Sequence, residues 1–162
     1  MNGTVSQINV SGGGVPKHAV AEARVTATGV EGDGHAHPQF HGGARQAVLV
    51  IAAEVIDQLN ALGFPVFPGA LGENLTTRGL DCGAWRIGQR WRVGADAVIE
   101  FTKIRTSCQS LLVYGAGIHA AIHDAQVKAG DPSSPKWCWS GMYASVVTPG
   151  AIRPGDPVVA FD

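Results

Sequence analysis

Twenty-two glycines and nine prolines interrupt this chain of 162 residues at short intervals. Glycine supplies the positive-φ corners of tight turns and proline removes a backbone donor, so neither is tolerated inside long regular elements. What fits between them is short and rich in β-branched and aromatic residues: VSQINV (5–10), ARVTATGV (23–30), QRWRV (89–93), AVIEFTKI (97–104), MYASVV (142–147) and PVVAF (157–161). ARVTAT and QRWRV alternate apolar and polar residues, as strands with one buried face do. In AVIEFTKI the same period sets Val98, Glu100, Thr102 and Ile104 on one side and Ile99, Phe101 and Lys103 on the other.

Two segments carry the helical period instead. AAEVIDQLNAL (52–62) aligns Val55, Ile56, Leu59 and Leu62 and stops at Gly63, and GIHAAIHDAQVKAG (117–130) aligns Ile118, Ile122 and Ala125. Many short strands with two helices predict a mainly β fold, a β-barrel or a closed, strongly bent sheet with a few short helices. No repeat or linker divides the chain, and 1–162 reads as a single domain.

Composition narrows the function classes. Hydrophobic residues reach 45% and charged residues only 15%, which supports a packed core and argues against disorder. Twelve basic against 13 acidic side chains give no excess positive charge for nucleic acid or a membrane surface. The longest apolar run, AVLVIAA (47–53), is too short to span a bilayer, and the first residues lack the pattern of a signal peptide. Three widely spaced cysteines do not read as a disulfide framework, so the expectation is a reduced, cytoplasmic setting.

Three stretches carry candidate chemistry. In GDGHAHPQFHGG (32–43), His35 and His37 point the same way on an extended backbone, and His41 can fold back toward them. Neutral imidazoles ligate zinc, manganese, iron or copper, and a carboxylate such as Glu73 completes a common ligand set. The alternative is a solvated loop whose histidines bond to carbonyls. Gly42 and Gly43 suit a tight turn or close approach to a ligand, and Arg45 suits an anion. PGALGENLTTRGL (68–80) sets Glu73 and Asn74 before two hydroxyls, either to hold a metal or polar heterocycle or simply as a turn into a short strand.

In KIRTSCQSLL (103–112), Cys108 follows a strand and Arg105 precedes it by three residues. A nearby cation or a helix start at SLLVYG lowers a thiol's pKa and makes a thiolate that attacks sulfur or binds a soft metal. A buried structural cysteine is the alternative. Cys82 has no obvious partner, and Cys138, between Trp137 and Trp139, reads as packing or a pocket rim. Trp137, Trp139 and Tyr143 read as core or as an aromatic wall, and His119 and His123 share one helical face.

The order GVEGDGHAHPQFHGGARQAVLV, FPGALGENLTTRGL, RIGQRWRVGADAVIEFTKIRTSC, SGMYASVVTPGAIRPGDPVV resembles the MOSC domain, the C-terminal region of molybdenum cofactor sulfurases. The matching elements are a GD…HGG…R segment, GENLTT, an IG-x-R turn, R-x-x-C at a strand end and a closing GD, spread over about residues 5–160. The chain is similar to the small stand-alone members, such as the hydroxylaminopurine-resistance type. The resemblance implies a β-barrel with Cys108 at its mouth, either ligating molybdenum or carrying a sulfane sulfur. It places His41, Gly42, Gly43, Arg45 and Asn74 against a cofactor in the same pocket.

The sequence also departs from the pattern. Where the family often has R-x-P-C, this chain has RTSC, which predicts a freer loop at Ser107. His35 and His37 exceed what a molybdenum–pterin pocket needs, and favour a divalent metal, zinc or manganese, on His35, His37, His41 and Glu73.

The first expectation is therefore an enzyme, a carbon–sulfur lyase or sulfurtransferase acting on a small sulfur-containing molecule, with Cys108 as nucleophile or sulfur carrier and Arg105 lowering its pKa. The second is a molybdenum-cofactor carrier, or the core of an N-hydroxylated-base reductase served by a separate electron-donor protein. The third is a non-catalytic ligand-binding module. None of these calls for nucleic acid or a membrane as partner.

Overall fold

The computed structural model describes residues 2–34 and 43–161. Along the chain lie strands β1 (Asn2–Val10), β2 (His18–Val20), β3 (Ala23–Thr26), β4 (Gly29–Val30) and β5 (Val48–Ala52), then helix α1 (Ala53–Ala61). After β6 (Leu75–Arg78), β7 (Arg90–Val93) and β8 (Ala97–Ile104) come the short helices α2 (Ile118–Ile122) and α3 (Ala125–Lys128). Strands β9 (Met142–Thr148), β10 (Gly150–Ile152) and β11 (Pro157–Phe161) complete the order.

Seven strands close into a barrel in the order β11-β7-β8-β9-β5-β6-β1, with β1 pairing back onto β11. Closure satisfies the backbone groups that an open edge would leave unpaired. The strand β2 adds to one end of β1, and β10, β3 and β4 form a separate small sheet. Neighbours in the ring are antiparallel except β5 and β6, which run parallel because α1 carries the chain across between them. All five residues of β5 are buried, so its sequence carries no alternation and reads as an apolar run. Inside the barrel Phe101 packs on Trp85 and Trp91, with ring centroids 5.0 and 5.9 Å apart.

The expected barrel and the strands at β1, β3, β7, β8, β9 and β11 are present, and so is α1. Two expectations are corrected. The segment 117–130 is two helices, because Asp124 leaves helical geometry and its carboxylate accepts the Val127 N–H at 2.8 Å, capping α3. The second concerns the cysteines. Cys82 and Cys138 form a disulfide across 56 residues of sequence, with Cα atoms 6.2 Å apart. Val50 of β5 pairs with both Leu75 of β6 and Met142 of β9, so the chain leaving β6 and the chain entering β9 meet at one end of the barrel. Topology creates that proximity, and spacing alone did not reveal it. The pairing also removes the ground on which the cysteines pointed to a reducing compartment. Among the described residues no helix is long and apolar enough to cross a membrane.

Candidate functional site

The site is built where β8 ends. Two residues before that end the pairing of β8 with β9 shifts register between Phe101 and Lys103. Thr102 sits at the shift, its hydroxyl 2.5 Å from the Arg45 carbonyl and 3.2 Å from that of Tyr143. Bulges of this kind re-aim the residues that follow them. Here they precede Arg105, Thr106, Ser107 and Cys108.

Arg105 is almost fully buried and fixed on every side. Its N–H donates to the Gly141 carbonyl at 2.9 Å, and its own carbonyl accepts from the Ser140 hydroxyl at 2.6 Å. The guanidinium Nη1 donates to the Leu71 carbonyl at 2.5 Å and lies 3.5 Å from the Ser140 carbonyl. The glycines of PGALGE present that carbonyl. Gly69 and Gly72 both have positive φ, and a Cβ on Gly69 would lie 2.2 Å from the Lys17 carbonyl oxygen. Only glycine folds the loop this tightly.

Cys108 is half-buried and is the free cysteine. Its Sγ lies 2.9 Å from the Ser110 hydroxyl. Burial is the largest single influence on the thiol and pushes it up. The hydroxyl and backbone N–H of Ser110 and the charge and hydrogen bond of Arg105 together outweigh burial, holding the thiol below its ordinary range. Cys108 precedes a 3-10 helix over Gln109–Tyr114 rather than an α-helix. Its polarity therefore comes from specific donors near the sulfur. Tyr143, nearly buried on β9, feels both groups: burial pushes its phenol up, Arg105 pulls it down and Cys108 pushes it up. Of the three aromatics considered for a wall, Tyr143 is the one whose phenol feels the Cys108 charge. Trp137 and Trp139 line a separate groove near the disulfide, together with Glu54, Leu80 and Cys82.

Glu73 is fully buried under this site. Its Oε1 accepts the Gly69 N–H at 2.7 Å and the Thr76 hydroxyl at 3.0 Å, while Oε2 has no partner among the described residues. Burial pushes the carboxyl above the usual carboxylate range, against hydrogen bonds from Gly69, its own N–H and Thr76 and the charge of Arg105. Asn74 spends both amide hydrogens and one oxygen lone pair on the fold. Its Oδ1 accepts the Leu49 N–H at 3.1 Å, and Nδ2 reaches Asp33 Oδ2 at 2.8 Å and the Asn9 carbonyl at 3.3 Å. Asp33 in turn accepts from Lys17 Nζ at 2.5 Å and the Ser11 N–H at 3.0 Å. The GD and GEN motifs thus meet as one buried polar network.

His35, His37, His41 and Gly42 lie outside the described residues. The network around Asp33 pins the chain just before them. Gly43 follows them at φ 84, and the Arg45 side chain is exposed. Among the described residues no three His, Cys, Asp or Glu side chains gather as a metal site.

Sequence reasoning overlooked Ser110 and Tyr114. The signal for Ser110 is a hydroxyl two residues after the cysteine at the start of a helical turn. Tyr114 has no such signal. Its buried hydroxyl lacks a partner among the described residues, and burial and the Glu73 charge push it up. Ser107, expected to loosen the loop, is instead hydrogen-bonded to His119 Nδ1 on α2.

A family model for the MOSC domain matches residues 37–159. No curated protein matches the chain. Among solved structures, YiiM from Geobacillus stearothermophilus is similar over 99% of this chain and 75% of that one, with a TM-score of 0.70 at 23% identity. YiiM from Escherichia coli covers 100% and 70%, with a TM-score of 0.68 at 21% identity. The YuaD protein from Bacillus subtilis covers 98% and 94%, with a TM-score of 0.71 at 17% identity. At these identities the likeness is one of fold. With most of its length matched by the family model, and a seven-stranded barrel that carries the R-x-x-C cysteine at a strand end, the chain belongs to the MOSC domain family.

Proposed function

We propose that this protein is a sulfur-handling enzyme that uses Cys108 as its nucleophile on a small sulfur-containing molecule. Its family is associated with sulfur and molybdenum-cofactor chemistry, and the proposal narrows that association to one thiol. One observation carries the reading: Cys108 is half-exposed, free, and held below the ordinary thiol range by Ser110 and Arg105. A thiolate is the reactive form of cysteine, and lowering the pKa raises its population near neutrality.

In sulfur transfer, the Cys108 thiolate attacks the outer sulfur of a donor R–S–SH. A Cys108–sulfur bond forms, the donor's S–S bond breaks, and R–S⁻ leaves with the bonding pair. The product is a Cys108 persulfide, and no external oxidant or reductant enters the balance. Arg105 acts here as the fixed positive charge that stabilises the attacking thiolate. In the carbon–sulfur cleavage form the Cys108 thiolate attacks the carbon and a Cys108–carbon bond forms. The substrate's C–S bond breaks, and the group that leaves with the bonding pair is again a thiolate.

The proposal includes a divalent ion, zinc or manganese, on His35, His37, His41 and Glu73, which would stabilise that leaving thiolate as a Lewis acid. Its support is the donor chemistry of the imidazoles and the unpartnered Glu73 Oε2. Metal analysis of the purified protein tests this part separately, and loss of bound metal in E73A is the expected outcome.

The molybdenum cofactor is the second reading, favoured by the same thiolate, a soft donor that fits molybdenum. Cys108 would hold the metal and the exposed Arg45 the phosphate, with His41, Gly42 and Gly43 beside them. Asn74 has both amide hydrogens engaged by Asp33 and the Asn9 carbonyl, so it has no free donor for the pterin. Bound, the cofactor would supply reduction of N-hydroxylated bases, with electrons from a partner protein.

The test is turnover with a persulfide or thiosulfonate donor and a small thiol acceptor. C108A should abolish sulfur transfer while leaving thermal stability nearly unchanged. Equal rates in C108A and the native protein would end the nucleophile role.

A further inference from the structure

Ser107 stands next to the reactive cysteine, and its hydroxyl is tied to one specific side chain, His119. The two are 12 residues apart and belong to different elements: Ser107 to the loop after β8, His119 to α2. The helix is anchored by Ile118 and Ile122, both fully buried, so the imidazole is placed by the core rather than by the loop. Nδ1 faces Ser107, and the buried Nε2 has no hydrogen-bond partner among the described residues. A buried ring nitrogen without a partner is costly even in this part-buried imidazole, so the Ser107 bond is the compensating contact that makes the placement tolerable.

The loop has few other anchors. Arg105 is fixed at its backbone by Gly141 and Ser140, and the Cys108 carbonyl accepts the Leu111 N–H at 3.1 Å. Between these points the side chain of Thr106 is exposed, and among the described residues Ser107 is the one whose side chain ties the loop to another element. The sulfur's surroundings depend on the Ser110 hydroxyl at 2.9 Å and on the nearby Arg105 charge. A loop that drifts by an ångström loses them.

We infer that His119 is a positioning residue for Cys108, acting through Ser107 to hold the thiol within reach of Ser110 and Arg105. The inference rests on Cys108 being the reactive group, but its test reads the thiol itself and not turnover.

The experiment is the pH dependence of Cys108 alkylation by iodoacetamide in the native, non-reduced protein, where Cys82 and Cys138 are paired. H119A should raise the midpoint by about one pH unit, which is roughly a tenfold slower reaction below it. S107A removes the same bond from the other side without touching α2, and should raise the midpoint equally. The S107A/H119A double variant should add nothing further, because both changes break one interaction. H119N, which keeps a polar atom near the Nδ1 position, should retain most of the native midpoint. Should H119A fail to fold, S107A and H119N still decide the matter. A native midpoint in S107A overturns the inference, as does a double variant that shifts by the sum of the single ones. If the midpoints move as expected while sulfur transfer is absent, the positioning role stands and the proposed activity fails.

Discussion

Arg105 Nη1 donates to the Leu71 carbonyl at 2.5 Å, joining the end of β8 to the glycine-folded PGALGE loop. That one bond ties two motifs separated by 34 residues of sequence. It also fixes the positive charge that helps to lower the Cys108 thiol.

R105A should therefore do two things at once. It leaves the Leu71 carbonyl buried without its donor and opens a cavity, costing about 3 kcal/mol of stability. It also raises the alkylation midpoint of Cys108. R105K keeps a charge but not the planar fork, and should fall between R105A and the native protein in both respects. Urea unfolding and alkylation kinetics on the same preparations check this.

The pH dependence of the thiol has a definite sign. The folded pKa of Cys108 lies below its unfolded value, so its contribution to stability is fully present above the unfolded pKa. It is lost as pH falls through the folded one. S110A removes the hydroxyl at 2.9 Å, so its alkylation midpoint should move up. The variant should also gain less stability than the native protein as pH rises from neutral to mildly alkaline. An S110A midpoint equal to the native one would contradict the placement of Ser110.

Glu73 separates shape from charge. E73Q keeps an oxygen for the Gly69 N–H and the Thr76 hydroxyl, while E73A strands both donors in the core. E73A should cost about 2–4 kcal/mol, and E73Q much less. Chemical denaturation in the presence of a chelator keeps metal binding out of the comparison.

The Cys82–Cys138 bond closes a long loop. By the chain-entropy argument a crosslink across 56 residues stabilises by about 4 kcal/mol. C82S/C138S should lose stability of that order, and native protein denatured without reductant should titrate one thiol, Cys108. Three titrated thiols would show that the pair does not form.

Much of this was legible in the sequence, and the exceptions share a cause. Strands with one solvent-facing side announced themselves by alternation, as in ARVT of β3 and RWRV of β7. Strand β5 did not, because both of its faces are covered, and β2 and β10 are three residues long. Motif order gave the family and singled out Cys108, the free cysteine past the end of β8. What motif order could not give was which partners each residue meets. Asn74 looked like a ligand-binding amide, and its amide is bonded to Leu49, Asp33 and Asn9, partners no motif announces. Lys17, which sits in no motif, proves to be the buried cation on Asp33. Ser107 and His119, and Cys82 and Cys138, are pairs made by topology, and local pattern carries no trace of them.

The most direct measurement is peptide mass spectrometry of the protein after brief exposure to a persulfide donor, read before any reductant is added. The account predicts the mass of one extra sulfur atom on the peptide bearing Cys108, lost again when a small thiol acceptor is supplied. An unmodified Cys108 under conditions where the donor is consumed would contradict it.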